Sequence, residues 1–157
     1  MSEPTERKPL SPKAKLAFVA IFLVAGFFIY QSQNKNFSLK GWTKITDGSD
    51  LPAVFAQAKS EGRKIAAFFL NSPPSETART VARRIWKAQN QKALKRGNFI
   101  PVLVYLRGTS DSLAKRYDIK NLPTFVVFLP DGTERNREVG SLGEVPFRAN
   151  FLQAVEE

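Results

Sequence analysis

Apolar positions divide the chain into one uniform stretch and one alternating stretch. Residues 16–30, LAFVAIFLVAGFFIY, carry no charge and no strongly polar side chain. Ala14 and the charged Lys15 just before it extend the expected span to 14–30. That is the short end of the about 17–25 residues a bilayer-spanning helix needs at about 1.5 Å per residue. A helix packed on a soluble core shows one apolar stripe, whereas this run is apolar on all sides. A cleaved leader needs small residues at its polar junction, and Phe-Phe-Ile-Tyr-Gln-Ser-Gln supplies none at the apolar end. The expectation is an uncleaved transmembrane anchor over 14–30. A flexible, proline-bearing tail (1–13) precedes it and a polar linker (31–41) follows.

From residue 42 the pattern alternates between strand and helix. WTKIT (42–46) predicts a short strand. Asp50 is placed to cap a helix over LPAVFAQAKSE, which Gly62 closes. KIAAFFL (64–70) and NFIPVLVYL (98–106) are continuous apolar runs of the kind found in strands buried on both faces. A basic helix is predicted from about Ser75 to Arg96, stopping at Gly97. Asp111 is placed to cap a short helix ending at Tyr117. TFVVFL (124–129), the turn Pro130-Asp131-Gly132 and ERNREVG (134–140) form a hairpin, and a last helix is expected over 144–156 with Pro146 in its first turn. The order β-α-β-α-β-α-β-β-α predicts an α/β domain over 42–157, a central mixed sheet flanked by helices.

Composition then narrows the chemistry. The chain has neither cysteine nor histidine. Thiol redox chemistry, Cys/His zinc sites, histidine-ligated haem and every catalytic arrangement needing imidazole or thiolate are thereby removed. No enzyme activity, metal or cofactor is expected. The net charge of +10 favours an acidic protein surface, anionic lipid headgroups or nucleic acid. Arg7, Lys8, Lys13 and Lys15 precede the anchor, against Lys35, Lys40 and Lys44 after it. This slight bias puts the N-terminus in the cytoplasm and the domain across the membrane.

The segment RYDIKNLPTFVVFLPDGTERNREVGSLGEVPFRANFLQ resembles the thioredoxin family. Tyr117, Ile119, Pro123, Thr124, Phe128, Gly132 and Gly140 fall where that family's Y-x-I-x-x-x-P-T-x-x-x-F-x-x-G pattern wants them. The resemblance spans about 42–157. It implies a thioredoxin-like fold, a cis Leu122–Pro123 bond, and structural roles for Pro74, Gly132 and Gly140. It also aligns Ser72-Pro-Pro-Ser75 with the family's C-x-x-C position, after a buried strand and at a helix start. The match is nearest to the C-P-P-C form of membrane-tethered envelope proteins of bacteria, which implies an inner-membrane, periplasm-facing domain. In that family a helix N-terminus lowers a cysteine's pKa so that its thiolate attacks a disulfide. A serine hydroxyl can do neither step. The aromatic residue that normally precedes the motif is Asn71 here. Ser72 and Ser75 are therefore degenerate motif positions without catalytic role, and Ser72 is expected to cap the helix.

The helix that follows carries Arg79, Arg83, Arg84, Lys87, Lys92, Lys95 and Arg96, and no acid between Glu76 and Gly97. Solvated faces usually mix both signs. A one-sign face, with Arg79, Arg83 and Lys87 repeating at helical spacing, points to docking on an acidic protein or on lipid headgroups. Nucleic acid is disfavoured, because no reader module is present and the domain is expected outside the cytoplasm. The expected function is a redox-inactive, membrane-anchored accessory, assembly or scaffolding subunit of a larger membrane complex, such as an electron-transport or photosynthetic one. The alternative is a peptide-binding, chaperone-like component of an envelope thiol-redox or cytochrome-maturation pathway, holding extended chain beside Pro123.

Overall fold

The computed structural model describes residues 12–34, 38–46, 48–140, 143 and 147–152. The chain forms two compact units, Met1–Lys35 and Asn36–Glu157. In the first, helix α1 runs Pro12–Asn34. Its described side chains, residues 18–29, are all exposed, Phe22 at 73% and Phe28 at 68%.

The second unit is built on a five-stranded sheet. Its strands are β1 (Thr43–Ile45), β2 (Lys64–Asn71), β3 (Phe99–Leu106), β4 (Thr124–Phe128) and β5 (Glu134–Val139), in the order β1-β3-β2-β4-β5. β1 and β2 run parallel to β3; β4 is antiparallel to β2, and β5 to β4. The sheet is therefore mixed, as the alternation of elements predicts. β2 and β3 sit centrally, which is why their sequences are apolar without interruption.

Successive side chains of a strand point to opposite faces, and β2 divides accordingly. Ala66, Phe68 and Leu70 enter a cluster with helices α3 (Glu76–Ile85) and α4 (Ala88–Arg96). Ile65, Ala67 and Phe69 enter another with α2 (Leu51–Glu61) and α5 (Ser112–Arg116). Phe68 stacks on Phe125 at 4.0 Å between centroids, and Phe125 meets Phe147 edge-on. On the opposite face Phe55, Tyr117 and Phe128 form a second aromatic group. β1 and β5 are the edges, and the charges of β5 blunt that edge against pairing with another chain. Arg137 ties this edge down by donating to the carbonyls of Tyr117 and Asp118 and to Glu134.

Several local expectations are corrected. The single basic helix is two helices, broken at Trp86–Lys87. The Asn90 amide donates to the Arg84 carbonyl and the Gln91 amide to the Ile85 carbonyl, so the last carbonyls of α3 are satisfied by side chains instead of a continuing helix. Asp50 stands at the N-cap of α2 but makes no capping bond, because it ends a 3-10 turn (Gly48–Asp50) in helical conformation. Gly62 closes α2 in the left-handed conformation, and Asp111 caps α5 through Leu113, both as expected. The described part of the C-terminal helix is a π-helical turn, Phe147–Leu152; Pro146 and the rest of 144–156 lie outside the described residues.

Candidate functional site

Ser72-Pro-Pro-Ser75 leaves the carboxyl end of β2 and enters α3. The Ser72 N–H donates to the Leu106 carbonyl at 2.8 Å, which fastens the loop to the end of β3. Pro74 is buried, and its carbonyl accepts from Arg79 Nε at 3.3 Å. The cap of α3 is Ser75, not Ser72: Ser75 Oγ accepts the Ala78 N–H at 3.2 Å. The reason is positional, since the N-cap is the residue just before the first helical one, here Glu76. Two peptide bonds at this end of the sheet are cis, Ser72–Pro73 and the expected Leu122–Pro123. Phe69 pairs with Thr124, so buried Pro123, the residue just before β4, lies at the same end as the serine loop. The Gly140 N–H donates to the Pro123 carbonyl at 2.8 Å. Gly140 does so at φ 87° and Gly132 turns the hairpin at φ 88°, both in the region that favours glycine.

Groups able to do acid, base or nucleophilic work are few here. The Ser75 hydroxyl is engaged as a cap. Lys64 stands at the other end of β2. Burial pushes the Tyr105 phenol up to about 12, with the charge of Arg79 opposing it, so the phenol stays protonated near neutral pH. Among the described residues no three metal-ligating side chains gather. A pocket of about 820 Å³ opens beside Tyr105, Arg107 and Arg116. Its one carboxylate, Asp111, is already bonded to the N–H groups of Arg107 and Leu113.

The basic side chains do not form a single stripe. Arg79 and Arg83 line a groove of about 250 Å³ with Ala82, Trp86, Ser38 and Leu39. Arg96, a helix further on, instead joins Lys64 and Arg148 around a separate pocket of about 480 Å³. Arg83, Arg84, Lys87, Lys92 and Lys95 are exposed, and Arg79 is half-buried. Sequence reasoning missed Trp86, which is 39% exposed at the break between α3 and α4. Its spacing from Arg79 and Arg83, seven and three residues, was the available signal.

Comparison with solved structures decides the fold. A thioredoxin from Thermus thermophilus aligns at a TM-score of 0.59 and 21% identity, over 73% of this chain and 87% of that one. The fold is thioredoxin-like. The C-terminal domain of DsbD from Neisseria meningitidis, in its oxidised form, aligns at 0.60 and 16% identity, over 71% and 99%. A poplar thioredoxin h mutant aligns at 0.61 and 18% identity, over 78% and 90%. At such identities the likeness establishes the fold and nothing finer. No family model matches the sequence, and no curated protein does.

Among the described residues no helix is long and apolar enough to cross a membrane. Side chains of α1 are described over 18–29, about 18 Å of helix at about 1.5 Å per residue. The remainder of the apolar run lies outside that stretch.

Proposed function

We propose that this protein is a redox-inactive, thioredoxin-like interaction module, held at a bacterial inner membrane by residues 14–30 and serving as an accessory or assembly subunit of a membrane complex. One observation carries the reading: on a thioredoxin-like scaffold, the loop between β2 and α3 is Ser72-Pro-Pro-Ser75, and the Ser75 hydroxyl caps the helix. The loop keeps a structural task while offering no sulfur to a disulfide. The apolar sequence of 16–30 and the exposure of its described part support the anchor. The excess of basic residues before it supports a cytoplasmic N-terminus and a periplasmic domain. The cations of α3 and α4 supply a docking face for an anionic surface.

A second reading keeps the alternative of a peptide-binding component in an envelope thiol-redox or cytochrome-maturation pathway. Its support is the likeness to the DsbD domain, together with Pro123 lying at the same end of the sheet as the serine loop. Extraction in mild detergent separates the two. An accessory subunit co-migrates with a defined set of membrane proteins at fixed stoichiometry. A chain that migrates alone and captures unfolded peptides instead supports the second reading.

A further inference from the structure

We infer that the shoulder around Trp86 docks on the anionic headgroups of the bilayer that carries α1. This inference rests on the proposed anchor and names the partner of the basic face.

Arg79, Ala82, Arg83 and Trp86 stand at positions i, i+3, i+4 and i+7, which puts them on one side of the α3 segment. With Ser38 and Leu39 they line a groove that brings apolar and cationic side chains together. Trp86 is 39% exposed there, whereas the chain's other tryptophan, Trp42, is 7% exposed within the core. Lys87, the next residue in the chain, is a further exposed cation. No acidic residue occurs from 77 to 97, and Glu76, three residues before Arg79, is the one acid of α3. An indole ring flanked by lysine and arginine is the pairing that membrane–water interfaces favour: the ring sits at headgroup depth and the cations meet phosphates. Guanidinium groups also match phosphate oxygens in paired hydrogen bonds.

The position of the groove along the chain selects a bilayer over an acidic protein. Residues 35–37 are all that separates Asn34, where α1 ends, from Ser38, which lines the groove. Extended chain covers at most about 3.6 Å per residue. If 14–30 crosses a bilayer, the four helical steps from Tyr30 to Asn34 and the four steps on to Ser38 keep headgroups within about 20 Å of the groove. An acidic protein would have to be brought there; the lipid already is.

The test uses the full chain in nanodiscs of phosphatidylcholine alone, or of phosphatidylcholine mixed with phosphatidylglycerol. Some lipids carry a nitroxide quencher near the headgroup. In the mixed discs, quenching of the exposed tryptophan should be several-fold stronger than in neutral discs and should fade as salt rises. Each cation near an anionic surface changes binding by about fivefold, so Arg83→Glu with Lys87→Glu should lower the docked-to-undocked ratio by at least about 25-fold. Both side chains are exposed, and the salt titration of the native chain needs no variant at all. Tryptophan emission that ignores the labelled lipid, or quenching equal in neutral and anionic discs, overturns the inference alone and returns the basic face to an acidic protein. A chain that fails to enter the discs overturns the anchor, and this inference falls with it.

Discussion

Ser75 Oγ accepts the backbone N–H of Ala78 at 3.2 Å, so the second serine of the loop caps the helix. An N-cap of this kind contributes about 1 kcal/mol. Ser75→Ala is expected to lower the melting temperature by a few degrees, and Ser75→Asp to leave it near the native value because aspartate also caps and suits the helix dipole. Thermal unfolding followed by circular dichroism reads both. Equal melting temperatures for the native chain and Ser75→Ala would remove the capping role.

Asn90 is fully buried and donates to the Arg84 carbonyl, while among the described residues no donor meets its Oδ1. Its amide holds the joint between α3 and α4. Asn90→Ala should cost about 1–3 kcal/mol in chemical denaturation, from the lost bond and the space left behind. Asn90→Asp should cost more, since it buries a charge where no donor meets the oxygen. A neutral Asn90→Ala would mean that backbone bonds alone set the break.

The central elements were legible because their physics is local to the sequence. β2 and β3 are uninterrupted apolar runs, the Asp131-Gly132 turn marks the hairpin, and Pro123 with Thr124 marks the start of β4. The helix break was not legible. Neither glycine nor proline punctuates RRIWKAQN; the break depends on Asn90 and Gln91 reaching back to carbonyls, which only the folded geometry reveals. Arg79, Arg83 and Lys87 read as one stripe because their spacing suits a continuous helix. Once the helix breaks, Arg79 and Arg83 gather at Trp86, while Arg96 turns to Lys64 and Arg148. Asp50 misled for a similar reason: the residue type suits a cap, but the preceding 3-10 turn leaves it with no capping bond.

Tyr105 makes stability depend on alkaline pH. Burial raises its folded-state pKa to about 12 from an ordinary 10.0. The folded state thus holds the phenolic proton more tightly than the unfolded chain. The resulting stability is fully present below pH 10.0 and is lost as pH rises towards about 12. Tyr105→Phe, which has no proton to lose, should show a shallower loss of stability over that window. Identical alkaline profiles for the two proteins would contradict the assignment.

The anchor over 14–30 makes a prediction of its own. Carbonate washing should leave the full chain in the membrane pellet, and mass spectrometry of that chain should find its N-terminal tail intact. Release of the chain into the wash, or a mature protein beginning near residue 27 or 31, would contradict an uncleaved anchor.

Insulin reduction, with the native chain compared with the Ser72→Cys, Ser75→Cys double variant, addresses the central claim most directly: a thioredoxin-like loop that keeps its shape without its chemistry. The native chain has no cysteine and should show background turnover only. In the variant a mild oxidant should join the two thiols, because the backbone bond from the residue 72 N–H to the Leu106 carbonyl, which the substitutions leave in place, fastens the loop to β3. The first thiol, near a helix N-terminus, should be acidic enough to attack insulin's disulfides. Turnover by the native chain above background, or a variant whose thiols cannot be bridged, would contradict the account.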